Sequence, residues 1–388
     1  MKIISASGKV RTCPKISRRI LRAGGPEAGP LPPAGDEDGR VPQGQDPQHI
    51  QRGNFRTSSK GIKKIFLAIG VFDGIHRGHQ SLIKSVVTKA TNKDGRSMVM
   101  TFDPHPVQVL HPEIYCPLLI SLSHRLKLID ELGVDLCMIV PFTKKFSQLN
   151  PEEFIENFLI KKINPKEVFV GDDFRFGHDR SGDLKFFQEA ARRYGFKVNI
   201  VSAVKDKSEA ISSTRIRKLI AAGNLLEASE LLGRLVSVFG PVVKGDGRGK
   251  KLGFPTANVD VSCDLLPPCG VYLVYVVIDQ KRFPGLANVG VRPSFNGHTQ
   301  ANRIVVEAHL LGFKRNIYGQ KVIVEFIRKL REEIKFSSPE NLVHQINLDE
   351  RKARKYFQNT ELSEGKSKKN NSARKSLRLK SLPAVLPR

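Results

Sequence analysis

The most constraining feature of this chain is an alternation running from Ile65 to Val201, in which short apolar runs are separated by amphipathic stretches of helical spacing. Residues 65–70, 98–102, 134–140, 168–170 and 196–201 read as buried strands. The stretches 79–90, 122–132 and 182–194 read as helices, and Asn150 before Pro151 marks the N-cap and first position of another that runs to about residue 162. Two more helices, one after Ser212 and one over 225–232, complete the unit. Strands alternating with helices at this spacing close into a parallel sheet covered on both faces. Such a sheet binds ligands beyond the carboxyl ends of its strands, where the strand order switches. The loops that follow the strands are therefore where chemistry is expected.

After Gly233 the pattern changes to β-branched and aromatic runs broken by Gly and Pro, at 236–239, 271–278, 286–289, 304–311 and 322–330, then a helix over 339–357. That spacing predicts a small antiparallel β-barrel. The expected division is 1–62 as a disordered basic, Pro/Gly-rich extension, 63–232 as an α/β domain of Rossmann-like type, 233–358 as the barrel domain and 359–388 as a disordered basic tail. The formal net charge is +26, and residues 1–60 and 361–388 each net +6 of it. The central excess suits polyphosphate substrates or nucleic acid. The tail from Glu361 has no aromatic residue to stack on bases, so nucleic acid is not the expected partner. The apolar run 271–278 is far shorter than the roughly 20 residues a membrane span needs. Five cysteines without a C-x-x-C spacing point to neither a disulfide framework nor a zinc site, and fit a reducing compartment. A cytoplasmic enzyme is expected, with import into an organelle through the acid-free residues 1–26 as the alternative. A homo-oligomer is left open.

The first strand runs directly into Gly70-Val71-Phe72-Asp73-Gly74-Ile75-His76-Arg77-Gly78-His79. Glycines at such a turn let a phosphate approach the backbone, and the N–H groups of the new helix face it. His76 and His79, three apart, can donate to phosphate oxygens whose charge grows during transfer, although two histidines so spaced can also be structural. No Gly-x-x-x-x-Gly-Lys-Ser/Thr loop occurs, which excludes a P-loop enzyme. Late in the domain, Ser212-Ser213-Thr214-Arg215-Ile216-Arg217 opens a helix; Ser212 or Ser213 can cap it while Arg215 and Arg217 offer forked donors to polyphosphate. Phe102-Asp103-Pro104-His105 and Asp173-Phe174-Arg175 each end a strand with polar groups and an aromatic, where a flat ring could stack.

In the second domain, Gly245, Gly247 and Gly249 precede Phe254-Pro255-Thr256-Ala257-Asn258. Backbone freed by these glycines can wrap phosphates, and Thr256 and Asn258 project to one face of an extended chain, offering hard oxygen ligands to Mg²⁺. Glu307 lies in an otherwise apolar strand, either as the solvent-facing member of the alternation or as the base that accepts a proton from an attacking alcohol.

The first turn resembles the HxGH signature of the nucleotidylyltransferase superfamily, and 63–357 as a whole resembles the prokaryotic-type bifunctional riboflavin kinase/FAD synthetase family. The resemblance implies two ATP-dependent reactions, riboflavin to FMN and FMN to FAD, with Mg²⁺ as cofactor. It implies ATP binding by Gly70, Phe72, Asp73, His76, His79, Ser213, Thr214 and Arg217, and flavin or nucleotide contacts from Phe102, Asp103, His105, Asp173, Phe174 and Arg175. In the barrel it implies Mg-ATP binding by Gly245, Gly247, Gly249, Thr256 and Asn258, with Glu307 as base. Gly312 and Asn316 stand where members of that family often carry acidic residues.

Overall fold

The computed structural model describes residues 1–5, 10–12, 64–245, 247, 249, 252–261, 265–292 and 303–370. The first unit begins with β1 (Lys2–Ser5) and β2 (Val10–Thr12), then β3 (Ile65–Ile69), α1 (Arg77–Asn92), β4 (Arg96–Asp103), α2 (Pro106–Leu110), α3 (Leu122–Glu131) and β5 (Leu136–Pro141). It continues with α4 (Lys144–Ser147), α5 (Pro151–Phe154), a π-helical turn (Ile155–Ile160), β6 (Glu167–Gly171), α6 (Leu184–Tyr194) and β7 (Lys197–Val201). A two-stranded hairpin of β8 (Lys205–Asp206) and β9 (Glu209–Ala210) leads into α7 (Ser213–Ala221) and α8 (Leu225–Leu232).

The sheet order is β2-β1-β5-β4-β3-β6-β7, with every pair parallel except β1 and β2. The chain leaves β3 toward β4 and β5, then returns to the other side of β3 as β6. The switch in order therefore falls at the carboxyl ends of β3 and β6. Alternate residues of β3 serve opposite faces: Phe66 and Ala68 pack with Ile83, Val86 and Ile129, while Leu67 and Ile69 pack with Phe154, Leu159 and Phe187. Two-sided burial explains the unbroken apolar runs in these strands.

Local chemistry fixes the helix ends. Asn150 Oδ1 accepts from Glu153 N at 2.9 Å while Glu153 Oε2 accepts from Asn150 N at 2.9 Å, a reciprocal cap on α5. The single helix expected over 150–162 divides after Phe154 into the π-helical turn. Asp183 caps α6 through Phe186 N at 2.8 Å, and Gly195 ends it at φ +76°.

Two expectations about the chain ends need correction. Residues 1–5 and 10–12 do not stay outside the fold. β1 pairs with β5 from Lys2–Leu136 to Ser5–Ile139, and the Met1 ammonium donates to Asp130 at 2.9 Å. β1 satisfies backbone groups that the outer edge of β5 would otherwise leave unpaired, and Ile4, 2% exposed, supplies the apolar contact. The rest of the extension, 6–9 and 13–63, lies outside the described residues. At the other end the last helix spans Pro339–Asn370, so it passes through the expected tail boundary at 359; residues 371–388 lie outside the described residues.

The second unit is a closed antiparallel barrel in the order β10-β11-β14-β13-β12-β15. Its strands are β10 (Val236–Val243), β11 (Ala257–Val259), β12 (Gly270–Ile278), β13 (Lys281–Arg292), β14 (Arg303–Leu310) and β15 (Lys321–Arg331). The C-terminal helix covers its outer surface, with Ala353, Tyr356 and Phe357 against Leu273, Leu286 and Ile327. Ile216, Ile220, Ala228 and Leu231 of α7 and α8 share one core with the barrel interior, including Val238, Tyr272 and Phe326. The two units are thus joined through buried apolar surface.

Candidate active sites

The turn leaving β3 is unusually constrained. Phe72, Gly74 and Ile75 have φ of +56°, +85° and +42°, two of them side-chain-bearing residues in the left-handed region. Such backbone persists only where its surroundings hold it. The hold is visible: Asp73, 2% exposed, accepts from Leu119 N (3.1 Å), Ile120 N (3.4 Å) and Arg217 Nη2 (2.6 Å). Its carboxylate is consumed by the protein, so Asp73 shapes the turn.

His76 then caps α1, its Nδ1 accepting from His79 N at 3.4 Å. An accepting Nδ1 on a neutral ring leaves the proton on Nε2, a donor available to an anion. The rings of His76 and His79 stack at 3.6 Å, and the edge of Phe72 meets His79 at 5.3 Å. Gly78 is small for a reason: a Cβ there would sit 3.1 Å from the His76 ring. His79 Nδ1 is buried and takes no partner among the described residues. Burial, with the positive charge of Arg234 beside it, lowers His76 to about 4. Burial, then the neighbouring His76, Arg125 and Arg234, pushes His79 well below the ordinary histidine value. Both imidazoles are neutral at pH 7.

The start of α7 faces this turn. Ser212 is the cap, accepting from Arg215 N at 3.2 Å, while Ser213 Oγ donates to Asp73 O at 2.9 Å. Thr214 is exposed in the first turn of α7. Arg217 bridges Asp73 and Pro117 O. Arg215 turns away to Asp206, Glu209 and Glu227, so the expectation that it donates to polyphosphate is not met.

Across the crevice, His105 caps α2 through Val107 N at 3.2 Å, and burial lowers its pKa. Phe102 touches Phe142 and Phe146 at 6.0 Å each. Phe142 and Phe146 line a cavity of about 400 Å³ together with Phe154, His111, His178 and Arg180. Asp103 is half-buried at the end of β4, and its carbonyl accepts from Phe142 N at 3.1 Å. After β6, Asp173 and Arg175 are exposed, Arg175 pairing with Asp183 at 3.5 Å. Phe174 instead packs on Phe176 and Phe187 in the core.

Sequence reasoning missed Arg125, which is 0% exposed. Its Nη1 donates to Val71 O (3.1 Å), Thr101 Oγ (3.1 Å) and Phe102 O (3.0 Å), binding the ends of β3 and β4 together, and its Nε and Nη2 are buried without partners among the described residues. Sequence offered no signal, because Arg125 lies on a helix at ordinary spacing.

A third histidine, His124, is 1% exposed and meets the Phe239 ring of the barrel at 5.6 Å; burial, then Arg234 and Lys127, lowers it to about 3. A histidine lowered on folding binds its proton more readily in the unfolded chain. Its stabilising contribution is complete above pH 6.5 and declines as pH falls toward the folded value. The protein is therefore less stable at pH 5 than at pH 7, and His124→Gln narrows that gap by about 2 kcal/mol. Denaturant unfolding at the two pH values measures it, and an unchanged gap in the variant contradicts the assignment.

The barrel presents its polar row outward. Ala257, Val259, Val306, Ala308, Ala287 and Val289 fill the interior, so the intervening Asn258, Glu307 and Asn288 share the outer face. Asn258 and Asn288 lie directly opposite Glu307 on either side. Asn258 Oδ1 is buried without a partner among the described residues. Two glycines approach this segment closely: a Cβ on Gly245 would lie 2.1 Å from Asn258 Nδ2, and one on Gly249 would lie 3.3 Å from Thr256 Oγ1. Gly247 is exposed, and Asp246, Arg248, Lys250 and Lys251 lie outside the described residues. His309 Nδ1 stands 2.9 Å from Pro255 O, and Asn288 Nδ2 donates to Glu333 at 3.0 Å. Gly312 and Asn316 are exposed beyond β14, and Asn316 Oδ1 accepts from Tyr318 N.

Paired neutral histidines at a sheet's switch point, followed by a barrel with a glycine-covered amide and a strand carboxylate, define a two-domain phosphate-transferring enzyme. A family model for FAD synthetase matches residues 58–215, and one for riboflavin kinase matches 232–357. The bifunctional riboflavin kinase/FMN adenylyltransferase of Escherichia coli (strain K12) is 37% identical over 307 residues, 79% of this chain and 97% of the relative. That of Pseudomonas fluorescens is 38% identical over 301 residues, 78% and 94% of the two chains. A solved structure from Streptococcus pneumoniae, described as a macrolide-efflux protein, is 32% identical with a TM-score of 0.64, covering 75% of this chain and 94% of that one. This chain belongs to the bifunctional riboflavin kinase/FMN adenylyltransferase family. Among the described residues no helix is long and apolar enough to cross a membrane.

Proposed function

We propose that residues 233–358 phosphorylate riboflavin to FMN and that residues 63–232 adenylylate FMN to FAD, each with ATP. In the barrel the 5′-hydroxyl of riboflavin attacks the γ-phosphorus of ATP, its proton passes to Glu307, and ADP departs. Gly245, Gly247 and Gly249 lie along the phosphates. The residues present fit a Mg²⁺ ion: Asn258 Oδ1 is a buried oxygen without a partner among the described residues, Thr256 precedes it by two positions, and an ion held there would neutralise phosphate charge. Phosphate oxygens of ATP and water would supply the remaining ligands.

In the first domain a phosphate oxygen of FMN attacks the α-phosphorus of ATP and pyrophosphate leaves. The attacking phosphate is already ionised, so no base is required. What the step needs is neutralisation of charge on the polyphosphate and an in-line approach. His76 Nε2–H and His79 donate to that charge, while Ser213, Thr214 and Arg217 complete the site from α7. The flavin ring lies beside Phe102 and His105, in the aromatic cavity lined by Phe142 and Phe146. The observation carrying this half is the buried His79 Nδ1, without a partner among the described residues, in a stacked neutral pair at the switch point.

Cys116, Cys137 and Cys269 form no disulfide among the described residues, which fits a reducing compartment, the cytoplasm in this reading. Incubation with riboflavin, ATP and Mg²⁺, followed by chromatographic separation of flavins, yields FMN and then FAD. Chelation of the metal stops FMN formation. Undiminished FMN formation in excess EDTA contradicts the metal assignment, and FMN accumulating without FAD contradicts the second step.

A further inference from the structure

Arg234 has no role in the chemistry above, yet it reaches into it. It follows Gly233, the left-handed end of α8, and stands two residues before the first barrel strand. Its Nη2 donates to Gly74 O at 2.8 Å and its Nη1 to Ile75 O at 3.1 Å. These are the carbonyls of the constrained turn immediately before His76. Burial depresses Arg234 to about 10, and it makes no ion pair among the described residues, where Glu131 and Glu325 are the carboxylates that act on it through space. Gln80 Nε2 adds a second tie, donating to Ile75 O at 2.9 Å and Leu232 O at 2.8 Å. A buried arginine satisfied mainly by two carbonyls is costly unless the geometry it imposes is useful.

We infer that Arg234, from the barrel side of the boundary, is a positioning residue for adenylyl transfer that holds the Gly74 and Ile75 peptides so that His76 and His79 face the polyphosphate. The inference rests on reading those histidines as phosphate donors. A forked guanidinium spans both carbonyls; a lysine ammonium spans one at a time. The root of the kinase barrel is in this way part of the adenylyltransferase scaffold.

The test uses the full chain, with both reactions measured on each sample. Arg234→Ala lowers kcat for FMN adenylylation about 30-fold while the KM values for ATP and FMN change little. Arg234→Lys falls between wild type and Arg234→Ala. Added guanidinium restores adenylylation in Arg234→Ala and leaves His79→Ala unchanged. Riboflavin phosphorylation stays within about twofold throughout, which establishes that the barrel is folded. Adenylylation in Arg234→Ala within about threefold of wild type overturns the inference, as does a parallel loss of both activities or an absence of guanidinium rescue. If His79→Ala itself adenylylates normally, the underlying reading of the histidines fails and the inference with it. A silent Arg234→Ala beside an inactive His79→Ala overturns the positioning role alone.

Discussion

Glu307→Gln loses FMN formation from riboflavin by about 10³-fold and still converts supplied FMN to FAD at close to the wild-type rate. Glutamine keeps the size of the side chain and its capacity to hydrogen-bond along the row, so the loss reports proton acceptance. Glu307 is flanked in register by Asn258 and Asn288, neither of which takes up a proton at neutral pH. His309, two residues along β14, stands with Nδ1 at 2.9 Å from Pro255 O, and its ring meets Phe254 at 5.8 Å, so it is already engaged at the edge of the row. The KM for ATP stays near wild type, because the proposed assignment gives the triphosphate to Gly245, Gly247, Gly249, Thr256 and Asn258 rather than to Glu307. Retention of FMN formation in Glu307→Gln removes the carboxylate from the mechanism and moves attention to Glu333, which reaches the same row through Asn288.

What the sequence made legible is what depends on short spacings. The strand-to-helix turn at Gly70–His79 was readable because its glycines and histidines are neighbours in the chain, and the cap formed by Asn150 is closed by Glu153 three residues later. The parallel sheet followed from apolar runs that two-sided burial requires. The opaque features are those whose meaning is a distant partner. Arg217 and Asp73 meet across 144 residues, and Arg234 reaches back 160 residues to Gly74; neither pairing leaves a periodic trace. Arg215 and Arg217 looked equivalent on α7, yet three carboxylates around Arg215 take it out of the site. Phe174 and Phe142 show the same ambiguity, since an aromatic after a strand can fill the core or line a cavity. β1 is four residues long and β11 three, too short to register as periodic runs.

His79→Asn stops FAD formation by about 10³-fold, the cost of removing a donor aimed at developing charge, and leaves riboflavin phosphorylation intact, so FMN accumulates. The backbone N–H of residue 79 still donates to the capping His76 Nδ1 in this variant, and the effect is confined to the imidazole. Because His76 and His79 stack at 3.6 Å, their contributions are coupled, and His76→Asn combined with His79→Asn costs less than the product of the single losses. The pH dependence separates this mechanism from acid–base catalysis. With His76 lowered to about 4 and His79 lowered by the same burial, both stay neutral as pH falls from 8 to 6. Adenylyl transfer by the wild-type enzyme is therefore level across that range with respect to these groups, whereas a histidine acting as a base with an ordinary pKa would impose a fall centred near 6.5. A rate profile of FMN-to-FAD conversion that halves near pH 6.5 in wild type, and loses that inflection in His79→Asn, contradicts the neutral-donor assignment.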